Sequence, residues 1–182
     1  PDDCRGDGAV GVNAPAQEGT TAAATVVIAR DGAEGLEVLA IERAKGMGFA
    51  GGAIAFPGGK VDATDTPEGP CFAGFDMLDP VDATGRVTAA REAFEESGIL
   101  LSVGPPVEAG LRRVLRAESD THAIGFAELL ARIGHVLHAD VLRPFARWVP
   151  PPGLHKRFDT LFFVAALPLG EVMLADGHEA VK

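Results

Sequence analysis

Apolar runs of strand length alternate with amphipathic stretches of helix length along most of this chain. The first two runs, 21–30 and 36–43, flank the turn-forming segment DGAEG and predict a β-hairpin. Further elements are predicted as strands at 53–56, 99–103, 145–149 and 157–167, and as helices at 85–97, 107–117 and 123–133. Because strands and helices are interleaved, the sequence predicts an α/β or α+β sandwich.

Two segments interrupt this pattern. Residues 1–20 have no apolar period and predict a flexible tail in front of one domain over 21–182. Residues 66–83 carry several Pro, Gly and Asp residues and predict an inserted loop, for which a lid or an oligomer contact are the alternatives. The last strand would continue toward another helix, so we expect the C-terminal end of the domain to be incomplete.

The charge of the chain narrows the class of partner. It has 16 basic and 26 acidic side chains among 182 residues, a formal net charge of −10. Nucleic-acid polymers and anionic membranes require a basic surface, so neither is expected as a partner, whereas a local site could still hold a small anion. Two cysteines without metal-ligand spacing favour a reducing, cytoplasmic compartment.

The predicted helix at 85–97 concentrates acidic side chains on one face. At about 100° per residue, Glu92, Glu95 and Glu96 fall within an arc of about 100°, opposite an apolar stripe. Each like-charged pair costs roughly 0.2–0.5 kcal/mol, and the helix dipole disfavours anions in the last turn. Arg91 is the one basic side chain expected to compensate. The face is either solvated or binds a divalent cation through hard oxygen donors.

A glycine-rich segment, Phe56-Pro-Gly-Gly-Lys60, is the second candidate element. Gly58 and Gly59 follow a predicted strand, where they would let a ligand approach the backbone. Their N–H groups could then meet phosphate oxygens. An ordinary turn is the alternative interpretation.

Together the two elements resemble the Nudix box, G-x5-E-x7-R-E-U-x-E-E-x-G-U, in which U is aliphatic. The segment Arg91-Glu-Ala-Phe-Glu-Glu-Ser-Gly-Ile99 matches every fixed position of the second half, and Gly59 matches the start. The first half differs from the box pattern, because Asp65 replaces the glutamate and 25 residues rather than 7 separate it from Arg91. Asp65 and the nearby Asp62 are the candidate replacements.

A closer resemblance points to one branch of the Nudix hydrolases, the branch of the peroxisomal coenzyme A diphosphatase. The insertion and the segments 145–152 and 157–163 are similar to that branch. The signature of coenzyme A-cleaving members is matched in part by Arg43, Ala44, Gly52 and 56–59, and Gly48 stands where that signature has an arginine.

The resemblance implies a fold, a reaction and a set of site residues. The fold is an α/β/α sandwich with a mixed β-sheet and a catalytic glutamate helix, and the reaction is Mg²⁺- or Mn²⁺-dependent hydrolysis of a diphosphate in a small nucleoside diphosphate derivative. The implied catalytic residues and metal ligands are Glu92, Glu95 and Glu96, of which Glu92 is either a ligand or the base. Arg91 would orient a carboxylate, and the implied substrate contacts are Gly58, Gly59, Arg43 and Arg157. Glu179 or Glu171 would supply a further base.

The substrate and the assembly stay open at this level. Coenzyme A or an acyl-CoA is the first expectation, with ADP-ribose or a dinucleoside polyphosphate as alternatives. A Nudix-fold module that senses a nucleotide without cleaving it is the alternative from another class. Because family members are often dimers, a homodimer is also expected.

Overall fold

The computed structural model describes residues 15–42, 53–153, 156–171 and 180–181, the last pair by its backbone alone. The strands are β1 (Thr21–Gly32), β2 (Gly35–Val38), β3 (Ile41–Glu42), β4 (Ile54–Ala55), β5 (Gly58–Lys60), β6 (Phe72–Ala73), β7 (Leu137–His138), β8 (Arg143–Trp148), β9 (Phe158–Ala166) and β10 (Ala180–Val181). The helices are α1 (Pro80–Ser97), α2 (Ala109–Asp120) and α3 (Phe126–Ile133). None of these helices is long and apolar enough to cross a bilayer.

Strand β1 is the centre of a mixed sheet. It runs parallel to β9 along one edge, and its other edge pairs antiparallel with β2 near one end and with β5 near the other. Strand β8 extends the sheet beyond β9. Ala24, Val26 and Ile28 alternate along β1 and are buried in the core that α1 shares. The predicted hairpin and the α/β fold class are confirmed.

Helix α1 begins earlier than the sequence indicated. Asp79 caps it by accepting a hydrogen bond from the N–H of Val81 at 2.9 Å, and Pro80 occupies the first turn. Proline is favourable there because its fixed φ suits a helix and the missing N–H has no helical partner. The predicted start at residue 85 was therefore wrong. The predicted end is confirmed, since Gly98 adopts φ 74° and donates to the carbonyl of Phe94.

The insertion at 66–83 is anchored to the fold by one short strand and one buried aromatic residue. Strand β6 lies parallel to β7, and the carbonyl of Cys71 accepts from the N–H of Leu137 at 2.8 Å. Phe75 is only 6% exposed and packs in the core, edge-on to Phe72. The last residues of the segment are already the first turn of α1.

One other expectation requires correction. Residues 99–103 do not form a strand. Ile99, Leu100 and Leu101 are buried in the core, and only Val103 pairs, through an isolated bridge. The end of the predicted tail contacts the sheet, because the N–H of Gln17 donates to Asp159 at 2.8 Å.

Candidate active site

One buried guanidinium holds the acidic face of α1 together. Arg91 is 4% exposed and donates from Nε and Nη2 to the two carboxylate oxygens of Asp65, at 2.8 and 2.9 Å. Its Nη1 donates to Oε1 of Glu92 at 2.8 Å and to Oε2 of Glu95 at 2.7 Å. The remaining Nη2 contact, at 2.9 Å, is to the carbonyl of Lys60 on β5. Arg91 therefore fixes two of the three predicted glutamates relative to the sheet.

Asp65 provides the carboxylate that Arg91 grips. It is fully buried and also accepts from the hydroxyl of Thr88 at 2.8 Å and from the N–H of Asp62 at 2.9 Å. Asp62 instead accepts from the N–H and hydroxyl of Thr64, and these hydrogen bonds lower the pKa of Asp62. Of the two candidate replacements for the box glutamate, the structure brings Asp65 to Arg91.

The two glycines form a strand against α1 rather than a turn. Gly58 and Gly59 pair with β1, and the N–H of Gly58 donates to Oε2 of Glu96 at 2.9 Å. A Cβ on Gly59 would lie 2.3 Å from Oε1 of Glu92. Glycine is required at position 59 because the Glu92 carboxylate of α1, rather than a ligand, lies close to the backbone there. The Gly58 N–H, expected to meet phosphate, is directed to a carboxylate.

Helix α2 supplies contacts that the sequence did not reveal. The hydroxyl of Ser119 donates to Oε1 of Glu95 at 2.6 Å, and Arg116 donates to the carbonyls of Glu95 and Glu96. The expectation that Arg91 alone compensates the last turn was therefore wrong. Arg116 meets carbonyls at the negative end of the helix dipole.

The cluster carries more negative than positive charge. Its carboxylates belong to Asp65, Glu92, Glu95 and Glu96, and its guanidiniums to Arg91 and Arg116. These six side chains leave two negative charges. Burial raises the pKa of Glu92, and Glu95 adds to that rise while Arg91 opposes it. Bringing a cation to these glutamates would favour their ionised forms.

The comparison with solved structures decides the family. A crystal structure of a NUDIX hydrolase from Alicyclobacillus acidocaldarius is 32% identical, with a TM-score of 0.72 over 91% of this chain and 79% of that chain. The chain belongs to the Nudix hydrolase family. The fold is shared by a MutT/nudix family protein from Enterococcus faecalis, which is 16% identical with a TM-score of 0.52. That match covers 93% of this chain and 45% of the E. faecalis chain. No family model matches this sequence.

Curated relatives of this Nudix hydrolase agree with the resemblance to coenzyme A diphosphatases. The acyl-coenzyme A diphosphatase NUDT19 of Xenopus laevis is 25% identical over an alignment of 194 positions, gaps included. The alignment covers 80% of this chain and 51% of the relative. The Homo sapiens NUDT19 is 27% identical over an alignment of 186 positions, which covers 74% of this chain and 49% of the relative. The chain spans about half the length of these curated relatives. The predicted resemblance to that branch is confirmed.

Nudix hydrolases generally use divalent metal ions, and the donor chemistry here fits one. No three His, Cys, Asp or Glu side chains in the described part of the chain already have the arrangement of a metal site. Glu92 and Glu95 are turned to Arg91, and Glu96 to Gly58. Carboxylate oxygens have further lone pairs beyond these contacts and are the donors that Mg²⁺ and Mn²⁺ prefer.

Among the remaining predicted site residues, the two that the structure describes, Arg157 and Glu171, have partners outside the cluster. The Nε and Nη2 of Arg157 donate to the carbonyl of Pro150, at 3.0 and 2.8 Å. Arg43 and Glu179 lie outside the described residues. Glu171, one of the two candidate bases, has its own partners.

Glu171 ties two segments of this Nudix hydrolase together. It accepts from two nitrogens of Arg112 at 2.6 and 2.9 Å and from the N–H of Leu100 at 3.0 Å. Arg112 also donates to the carbonyl of Gly98, at 3.3 Å. These contacts connect the end of α1 with α2 and with residue 171. They direct the Glu171 carboxylate to Arg112 rather than to the three glutamates.

Proposed function

We propose that this Nudix hydrolase cleaves the diphosphate bond of a nucleoside diphosphate derivative with Mg²⁺ or Mn²⁺, and that an acyl-CoA or coenzyme A is the substrate. The observation that carries the proposal is the glutamate cluster of α1, in which Arg91 holds Glu92 and Glu95 and the N–H of Gly58 holds Glu96, so that carboxylates outnumber guanidiniums. A diphosphate is itself an anion, so such a cluster can bind it only together with cations. The cluster thus fits metal-assisted hydrolysis.

Each residue of the cluster has a distinct part in this proposal. Glu92, Glu95 and Glu96 would hold the ion, and Arg91 would fix the first two at a common nitrogen. When bound, a divalent ion neutralises charge on the diphosphate oxygens and lowers the pKa of the attacking water. Asp65 keeps the Arg91 guanidinium in place through two parallel hydrogen bonds, the strongest geometry available to an arginine.

The substrate class is supported by the similarity to acyl-coenzyme A diphosphatases. In the proposed reaction, water adds to one phosphorus and the bond from that phosphorus to the bridging oxygen breaks. The two products are phosphate monoesters. For coenzyme A they are adenosine 3′,5′-bisphosphate and 4′-phosphopantetheine, and an acyl-CoA gives the acylated form of the latter.

A substrate panel tests the reaction and the substrate together. Coenzyme A, an acyl-CoA, ADP-ribose and diadenosine tetraphosphate are incubated with the protein and Mg²⁺ or Mn²⁺, and the products are resolved by chromatography. We expect adenosine 3′,5′-bisphosphate from the coenzyme A compounds, and none in the presence of EDTA. Faster cleavage of ADP-ribose or of diadenosine tetraphosphate would contradict the coenzyme A substrate class but would still support metal-dependent hydrolysis of a diphosphate bond. No cleavage of any compound would contradict the proposal.

The substitution Glu96→Gln tests the role of the cluster. Glutamine retains an oxygen that can accept from the N–H of Gly58 but has no charge for a cation, so the fold should persist while kcat falls by about a hundredfold or more. Glu128→Gln, on an exposed ion pair of α3, is the matched control and should leave kcat unchanged. Unchanged metal-dependent turnover of the Glu96 variant would contradict the assignment.

A further inference from the structure

A single hydroxyl from α2 reaches the glutamate cluster. Ser119 is 1% exposed, and its Oγ donates to Oε1 of Glu95 at 2.6 Å. The other oxygen of that carboxylate, Oε2, accepts from Nη1 of Arg91 at 2.7 Å. The Glu95 side chain is only 7% exposed and is held at both oxygens. One of these two donors comes from its own helix and the other from α2.

The position of this hydroxyl is fixed by the docking of α2 on the last turn of α1. Arg116, one turn before Ser119 on the same buried face, donates to the carbonyls of Glu95 and Glu96. Arg112, one turn earlier still, donates to the carbonyl of Gly98. Residues three and four apart lie on one side of a helix, so these contacts place Ser119 against Glu95.

The neutral character of the hydroxyl matters for a cation site. Arg91 shares one nitrogen between Glu92 and Glu95, and a second cationic donor on Glu95 would cancel the negative charge that attracts a divalent ion. A serine hydroxyl orients the carboxylate without adding positive charge. It also leaves the second lone pair of each carboxylate oxygen available.

We infer that Ser119 is a positioning residue, which fixes the carboxylate of Glu95 and thereby sets the affinity of the site for its divalent ion. This inference rests on the proposed function. Outer partners of metal ligands typically change metal affinity or activity by about 10–100-fold when they are removed. A serine with a purely structural role would change stability and leave the affinity of folded protein for the ion unaltered.

The test measures Mn²⁺ binding directly, by electron paramagnetic resonance of free Mn²⁺ during titration of the whole chain. Ser119→Ala removes the hydroxyl and suits a helix, so the variant is expected to fold. Ser102→Ala is the control, because it removes a half-buried hydroxyl that bonds to Nδ1 of His135 instead. We expect the Kd for Mn²⁺ to rise about 10–100-fold in the first variant and to change less than about twofold in the second.

Activity and rescue provide further readouts. In Ser119→Ala the Mn²⁺ concentration for half-maximal turnover should rise, and kcat at saturating Mn²⁺ should largely recover. Ser119→Thr, which keeps a hydroxyl, should restore most of the affinity. Equal Mn²⁺ affinity in the alanine variant and the unsubstituted protein would overturn the role of Ser119 alone. Failure of the unsubstituted protein to bind Mn²⁺ would overturn the metal site and, with it, this inference.

Discussion

Replacing Asp65 by asparagine should destabilise the whole fold, because this carboxylate anchors the guanidinium on which the glutamates depend. Asp65 is fully buried and accepts from two nitrogens of Arg91, from the hydroxyl of Thr88 and from the N–H of Asp62. Asparagine has nearly the same shape but no charge. One of its terminal groups becomes an N–H donor that faces donors.

The magnitude follows from the burial of the pair. Removing one partner of a buried ion pair typically costs about 3–5 kcal/mol, because the remaining charge stays buried. Arg91 retains Glu92 and Glu95 as partners, so we expect the lower end, about 3 kcal/mol. In a domain of this size that corresponds to a Tm lower by roughly 6–12 °C.

Urea denaturation followed by fluorescence of Trp148 measures the free energy of unfolding, and a thermal melt gives the Tm. Asp76→Asn, an exposed aspartate of the insertion, is the control and should fall within about 0.5 kcal/mol of the unsubstituted protein. A loss of less than about 1 kcal/mol in Asp65→Asn would refute the reasoning, since a buried ion pair would then not anchor Arg91.

Two glycines and one further ion pair give additional predictions. Gly59→Ala should lower kcat by about a hundredfold with little loss of stability, because the three atoms nearest to its Cβ all belong to the end of the Glu92 side chain, which can move. Gly58→Ala should instead lower the free energy of unfolding by about 1–3 kcal/mol, because its Cβ would lie 2.6 Å from a backbone oxygen of β1. Paired kcat and urea measurements separate these effects, and equal losses in both variants would contradict them. Hydrogen bonding from Arg147 lowers the pKa of Asp159, which means that the ionised carboxylate stabilises the folded state. The contribution of Asp159 to stability is complete above the unfolded-state pKa of about 3.9 and is lost as the pH falls through the folded-state pKa. Asp159→Asn should therefore lose less stability between pH 5 and pH 2 than the unsubstituted protein, and parallel profiles would count against this assignment.

Features with local signals could be predicted from the sequence. The β1–β2 hairpin needs only two apolar runs and a turn, and the end of α1 needs only a glycine that adopts a positive φ, as Gly98 does. The start of α1 was missed because Pro80 follows an aspartate-rich stretch and suggested a loop. The same proline is favourable in the first turn once Asp79 caps the helix.

The polar part of the inward face of α2 could not be predicted from its own sequence. Leu111 and Val114 would conventionally mark the buried side, yet they are 47% and 55% exposed. Beside the buried Leu115, the inward side carries Arg112, Arg116 and Ser119, whose partners belong to other segments. A buried arginine is stable only where acceptors are present, and those acceptors are carbonyls and carboxylates distant in sequence. The site contacts made by α2 therefore depend on the tertiary structure.

The divided Nudix box shows why spacing along the chain is a weaker constraint than contact in space. Asp65 and Arg91 are separated by 25 intervening residues, and yet Oδ1 and Nε lie 2.8 Å apart. The intervening chain leaves the buried pair at Asp65, joins the core through Phe75 and returns at Asp79, where it caps α1. Any insertion that packs stably and returns the chain to this point can preserve the contact. The requirement is a carboxylate shortly after β5, here five residues beyond Lys60, and a guanidinium on α1, and the length between them is free to vary.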